Sequence, residues 1–289
     1  MAAIGTRFWC PLNYRSRIIN APATVFSGSI HNLLDYNPDT SCINQVKTAN
    51  TGQIEFDANN DYTAAVTFFA AFYRNTHKYT ADLGLNVYRS NDFNNFGTAV
   101  FYYGLIRGTY CFPLVIADLT GISMARYWKW NSWNNYGQTI EMSMVMLGRY
   151  HDVSTRWNWE SPDGDGYRNL GLTSFSGQKS IRLGNDNGIF AADRSYEYIG
   201  DTDMAAIRAA WADTRGGTYP MIITDDIPAS GWNPSSGLVN ARTSRLVRFN
   251  HPQDGDGLSR LGEVQVQYGL WNVALHLMEV PWYGEGQIV

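Results

Sequence analysis

Five histidines, three cysteines and two groupings of carboxylates with aromatic neighbours are the residues of this chain that could do chemistry. The histidines are His31, His77, His151, His251 and His276. No two stand at the i, i+4 spacing that puts a ligand pair on one helix face, so the sequence predicts no metal centre and no cofactor. The cysteines Cys10, Cys42 and Cys111 are odd in number and include no CxxC pair. That excludes a zinc knuckle and a disulfide framework, leaving either three reduced thiols or one disulfide with a spare thiol. There is no Gly-X-Ser-X-Gly elbow, Walker loop, His-Glu-X-X-His or strand-borne GxGxxG, so no catalytic residue is assigned and the chain is read as a non-enzyme.

Two carboxylate groupings carry weaker signals. Glu55 and Asp57 fall on one face of a candidate strand, and Glu160 and Asp163 stand beside Trp157 and Trp159. A glycosidase needs two carboxylates set across a cleft, one acting as acid. Neither grouping gives an assignable acid/base pair, so hydrolysis is not expected and the ligand-binding residues are unknown. Asp163-Gly164-Asp165-Gly166 and Asp254-Gly255-Asp256-Gly257 nearly repeat one another. Calcium takes about six to eight oxygens, more than either stretch offers, so both are read as turns.

The elements that must position these residues are mostly strands. Tyr127, Trp128, Lys129 and Trp130 lie in an alternating stretch, and Ile140, Met142, Met144 and Met146 are expected on one side of a strand. Val264, Val266 and Tyr268 alternate with polar residues, as do Trp271, Val273, Leu275 and Leu277; the phase changes near Gly269, by a glycine bulge or a tight hairpin. His276 reads as a partly buried strand residue. One segment, about 202–214, reads as a helix: Asp201, Thr202 and Asp203 offer an N-cap, Met204, Ile207 and Trp211 share a face, and Gly216-Gly217 ends it. A boundary near 150–160, with His151–Thr155 as connector, divides the chain into domains 1–150 and 151–289, though one large all-β domain stays open at 289 residues.

Composition narrows the function classes. Net charge is −4, lysines number four (Lys47, Lys78, Lys129, Lys179), and no basic run exists, so nucleic acid is not an expected partner. Charged residues make up only 17% and aromatics 14%, a balance suited to protein or sugar interfaces as well as to a β core. No stretch approaches a membrane span, the N-terminus lacks a signal-peptide core, and no permitted Asn-X-Ser/Thr acceptor occurs, so folding in a cytoplasm is expected.

Residues 20–150 resemble the galactose-binding-like, discoidin-type family. The resemblance runs through Asn32-Leu33-Leu34-Asp35-Tyr36-Asn37-Pro38-Asp39-Thr40, Gln53-Ile54-Glu55-Phe56-Asp57, Ala64 to Asn75, Leu85-Asn86-Val87-Tyr88-Arg89-Ser90-Asn91-Asp92, Ala125 to Trp130 and Ile140 to Gly148. It implies a mainly β fold with an N-terminal jelly-roll sandwich, followed by a second β-rich domain with one helix. In that family ligands meet loops at one end of the sandwich, and no binding residue is carried over. The second half resembles distal or minor tail proteins of tailed bacteriophages through its strands, single helix, Gly-Gly and Tyr-Pro. This implies a structural virion protein at the tail tip, made in the host bacterial cytoplasm, with copies of itself in a ring and other tail proteins as partners. The alternatives are a carbohydrate-binding module for a cell-surface glycan and a capsid decoration protein.

Overall fold

The computed structural model describes residues 4–12, 17–20, 25–36, 42–45, 52–58, 66–74, 83–93, 95–104, 114–120, 122, 125–134, 139–155, 163–166, 169–173, 179–183, 189–227, 244–251 and 261–280. The first half holds strands β1 (Ile4–Pro11), β2 (Arg17–Asn20), β3 (Val25–Gly28), β4 (Cys42–Gln45), β5 (Gly52–Asp57), β6 (Phe68–Arg74), β7 (Leu83–Ser90), β8 (Phe101–Gly104), β9 (Leu114–Asp118) and β10 (Tyr127–Asn134). The long β11 (Thr139–Val153) follows, then β12 (Asp163–Gly166), β13 (Asn169–Thr173), β14 (Lys179–Leu183) and β15 (Ile189–Gly200). Helix α1 (Asp201–Asp213) leads to β16 (Met221–Ile227), β17 (Ser244–Phe249), β18 (Gly262–Gln267) and β19 (Leu270–Glu279). The protein is therefore mainly β with a single α-helix among the described residues, as expected.

A five-stranded sheet, β2-β5-β10-β7-β8, faces part of a twelve-stranded sheet. The core between them takes Ile54, Phe56, Val87, Trp128 and Trp130 from the smaller sheet and Phe69, Ala71, Tyr73, Val145 and Leu147 from the larger. Phe69 stacks on Trp130 at 4.6 Å and meets Phe56 edge-on at 5.4 Å. Each such burial contributes about 1.5–3 kcal/mol, so this sandwich is held by ring packing. Leu33, buried in the 3-10 turn Ile30–Leu34, closes one side of it.

The larger sheet is continuous across residue 150. Along one edge of β11 run β4 (from Met142 back to Thr139) and β1 (from Gly148 to Val153); along the other runs β6. β1 pairs in turn with β16, then β17, β19 and β15 follow. His151–Val153 are thus strand rather than connector, because the main chain of β1 offers them a ladder. The same face of this sheet carries two covers: the five-stranded sheet, and α1, which packs Met204, Ile207 and Ala210 against Phe8, Cys10, Val153, Tyr196, Ile223 and Val247. On the opposite face Trp9, Phe68, Phe72, Met144, Met146, Ile222 and Leu246 form a third buried cluster.

Three expectations need correction. The ladder of β11 with β6 slips between Met142 and Met144, so Met142 enters the sandwich core while Met144 and Met146 point to the other face; a bulge adds one residue and inverts the alternation. Asp163–Gly166 is no turn but a strand paired with β15. The second Asp-Gly-Asp-Gly, at 254–257, lies outside the described residues. Finally, α1 is capped by Gly200 without a side-chain bond. Asp203 instead accepts the amide and hydroxyl hydrogens of Ser154 (3.0 Å) and Thr155 (2.9 and 2.7 Å), tying the helix to the end of β11. Burial pushes the Asp203 pKa up, but these donors outweigh it and hold the carboxyl below its ordinary value.

The helix ends as expected at glycine. Arg215, Gly216 and Gly217 all take positive φ (51, 65 and 87°), and the Gly216 amide donates to the Trp211 carbonyl at 2.9 Å. A Cβ on Gly217 would stand 2.4 Å from the Phe249 carbonyl oxygen. The phase change near Gly269 is a hairpin between β18 and β19, with Gly269 at φ 74°.

Candidate functional site

The structure scatters most of the candidate residues. His31 lies in the 3-10 turn Ile30–Leu34, and His77, Glu160, Trp157 and Trp159 lie outside the described residues. His251 and His276 are brought together, ring centroids 5.2 Å apart, and the His276 amide donates to His251 Nε2 at 3.4 Å. Trp211 and Phe249 close over His251. His276 is half-buried on its strand, as expected. Glu55 and Asp57 do share the outer face of β5. Asp57 is taken by Arg126 in a two-pronged pair at 2.8 and 3.0 Å, which leaves it no free oxygen for proton transfer.

One chemically rich cluster escapes sequence reasoning. β1 pairs with β11 so that Cys10 stands opposite Arg149, and the end of α1 drops Asp213 onto them. The ligand atoms of Cys10, His151 and Asp213 lie within 4.8 Å of one another. A thiol, an imidazole and a carboxylate could in principle hold zinc. Here the donors are committed elsewhere. Arg149 donates to both oxygens of Asp213 at 2.6 Å each, and His151 Nε2 lies 2.8 Å from Oδ2. Burial pushes the Asp213 carboxyl up, but His151 and Arg149 outweigh it and hold it below its ordinary value. Burial pushes the Cys10 thiol well up, and nearby Asp213 pushes it further. Full burial keeps this thiol from acting as a nucleophile toward solvent-borne reagents. The cluster is a clamp between α1 and β11. Arg7 does a similar job on the other face, donating to Asp152 (2.6 and 2.8 Å) and Asp118 (3.0 Å) beneath the Tyr150 ring.

The outer face of the five-stranded sheet differs. Cross-strand register sets Lys129 between Glu55 and Tyr88, and Asn131 opposite Asn86. The Lys129 ammonium lies 4.6 Å from the Tyr88 ring centre and 4.8 Å from that of Phe96. Beside it, Phe93 is 40% exposed and packs 5.7 Å from Tyr127, over which Arg126 lies at 5.1 Å. Asn86 Nδ2 donates to the Tyr88 hydroxyl at 3.1 Å, while its Oδ1 is enclosed and accepts no hydrogen bond among the described residues. The loop after β7 is folded onto this face: the Asp92 amide donates to Ser90 Oγ (2.9 Å), and the Arg126 amide to Asn91 Oδ1 (3.3 Å). Ring faces bordered by amides and a cation can bind ligands with both C–H faces and hydroxyls. Sequence reasoning passed over Phe93 and Phe96 because neither sits in a strand with a readable period.

No protein family model matches the chain, and no curated protein matches it. Among solved structures, it is similar over about half its length to several carbohydrate-binding modules. A module from a family 31 glycoside hydrolase of Clostridium perfringens is 11% identical, with 48% of this chain and 97% of that one covered at a TM-score of 0.39. The sixth family 32 module of a Clostridium perfringens family 89 hydrolase is 13% identical, covering 47% and 94% at 0.33. A Streptococcus pneumoniae fucose binding module is 15% identical, covering 49% and 96% at 0.35.

Proposed function

We propose that the protein is a non-enzymatic recognition protein that binds a glycan on the outer face of the five-stranded sheet. The observation that carries this reading is the pair of aromatic settings side by side on that face: Lys129 held between Tyr88 and Phe96, and exposed Phe93 against Tyr127. A pyranose would lay its C–H face on the rings and direct hydroxyls to Lys129. Turnover is not part of this reading, because Asp57 is consumed by Arg126 and glycoside hydrolysis needs an acid free to give up its proton. The test is a glycan array probed with the full chain and with Phe93→Ala and Lys129→Ala. Signal from the wild type that both variants lose supports the reading; signal that survives both removes it.

A second reading, a structural component of a bacteriophage virion near the tail tip, draws support from a different place. The β18–β19 hairpin leaves Tyr268, Val264 and Val266 exposed, and apolar residues presented in this way belong to protein–protein contacts. Electron microscopy of virions labelled with antibody against the chain tests it; label on purified phage tails is the expected result, and its absence from virions would count against it.

A further inference from the structure

We infer that two copies of this chain join edge to edge through β18, as an antiparallel intermolecular ladder. Among the described residues β18 pairs only with β19, leaving its other edge open. Val264 (61%) and Val266 (46%) are exposed along it, Tyr268 (96%) at the hairpin turn that follows, and Tyr198 (64%) stands across β19 on β15. Tyr198 takes φ 54° at a bulge in β15, where its amide donates to Asn272 Oδ1 at 2.9 Å. A tyrosine held there in the left-handed region costs on the order of 1 kcal/mol, yet the fold keeps it turned outward.

An open apolar edge recruits other strands, and folded proteins normally guard it with lysine, proline or a bulge. Gly262-Glu263-Val264-Gln265-Val266-Gln267 contains neither lysine nor proline. Its single charge, Glu263, is occupied by Arg208 at 2.9 and 3.1 Å. The one guard among the described residues, a bulge between Gln265 and Gln267, sits beside the hairpin tip and leaves Gly262–Gln265 regular.

The strand is complementary to itself, which identifies the occupant as a second copy. Of the two-fold registers centred on a residue, one centred on Glu263 would set like charges opposite each other, and one centred on Gln265 would run into the bulge. Centring on Val264 sets that valine against its symmetry mate and the Arg208-bound Glu263 against neutral Gln265, so that an apolar pair sits at the centre and no like charges meet. A two-fold interface of this kind places the same patch on both subunits. The inference uses a surface other than the glycan face and stands or falls separately from it.

The experiment is light-scattering mass measurement of the full chain from about 1 to 100 µM (a span chosen around weak-to-moderate self-association), alongside oxidation of Val264→Cys and a Val264→Lys variant. Expected are a concentration-dependent species at twice the 32.5 kDa chain mass, a covalent dimer from Val264→Cys but not from the wild type, and a monomer for Val264→Lys. A chain that stays monomeric throughout overturns the inference. So does association that survives Val264→Lys while Val264→Cys fails to cross-link. Because Val264 is exposed, neither substitution touches the core, and circular dichroism identical to wild type confirms that the variants are folded.

Discussion

The clamp around Asp213 and the outer face of the five-stranded sheet hold opposite resources. The clamp gathers a thiol, an imidazole and a carboxylate, the stronger chemistry by residue type, yet its carboxylate is bonded on both oxygens and its thiol is fully buried. The sheet face offers only rings, amides and one ammonium, but Phe93 is exposed there. What residues can do in isolation is therefore a poor guide; what their neighbours leave them free to do decides. In this molecule the reactive set serves stability and the bland set faces outward.

That contrast can be broken by substitution, beginning with the clamp. Asp213→Ala removes the carboxylate that Arg149 and His151 share and is expected to cost about 3 kcal/mol, at the low end for breaking a buried pair because Arg149 is partly exposed. Urea unfolding followed by tryptophan fluorescence reads the loss, and glycan binding of the folded fraction stays at the wild-type level. A stable Asp213→Ala protein would remove the clamp from the account of the fold. Gly217→Ala, which drives a Cβ to within 2.4 Å of the Phe249 carbonyl at φ 87°, is expected to cost about 2 kcal/mol by the same measurement.

The sheet face should respond in the other sense. Lys129→Ala is expected to weaken glycan binding about tenfold, equal to about 1.4 kcal/mol, and to move the unfolding midpoint little, since the ammonium is not buried in the core. The smallest effect is acid sensitivity. Asp213 and Asp203 both have folded pKa values below their ordinary ones, so their stabilisation is complete above the unfolded carboxylate pKa of about 3.9 and disappears as pH falls through the lower folded values. Thermal melts should therefore hold steady from pH 7 to about 5 and drop below about 4. In Asp213→Ala that drop should be shallower; an unchanged drop would mean other carboxylates dominate.

The strands that bury one face were legible from alternation: Ile54 and Phe56, Trp128 and Trp130, Val273 to Leu277 all fall where period-two reading puts them. The helix was legible from the face shared by Met204 and Ile207, and its glycine stop because termination chemistry is local, whereas the expected side-chain N-cap did not form. Long-range facts were not. β11 is buried on both faces and carries a bulge, so its methionines give no usable phase. The run His151–Val153 looks polar enough for a linker and becomes strand only because β1, remote in sequence, pairs with it. The clamp needs β1, β11 and α1 at once, a meeting no spacing rule encodes. On the outer face of the five-stranded sheet Tyr88 and Tyr127 could be placed on strands, whereas Phe93 and Phe96 sit in a loop held by Ser90 and Asn91.

The most direct test of the contrast is calorimetric titration of the best array glycan into three folded proteins: wild type, the Phe93→Ala/Lys129→Ala double variant, and Asp213→Ala held at a temperature where it remains folded. The prediction is equal affinity for wild type and Asp213→Ala and at least a tenfold loss, about 1.4 kcal/mol, in the double variant. Undiminished binding by the double variant, or loss of binding in folded Asp213→Ala, would contradict it.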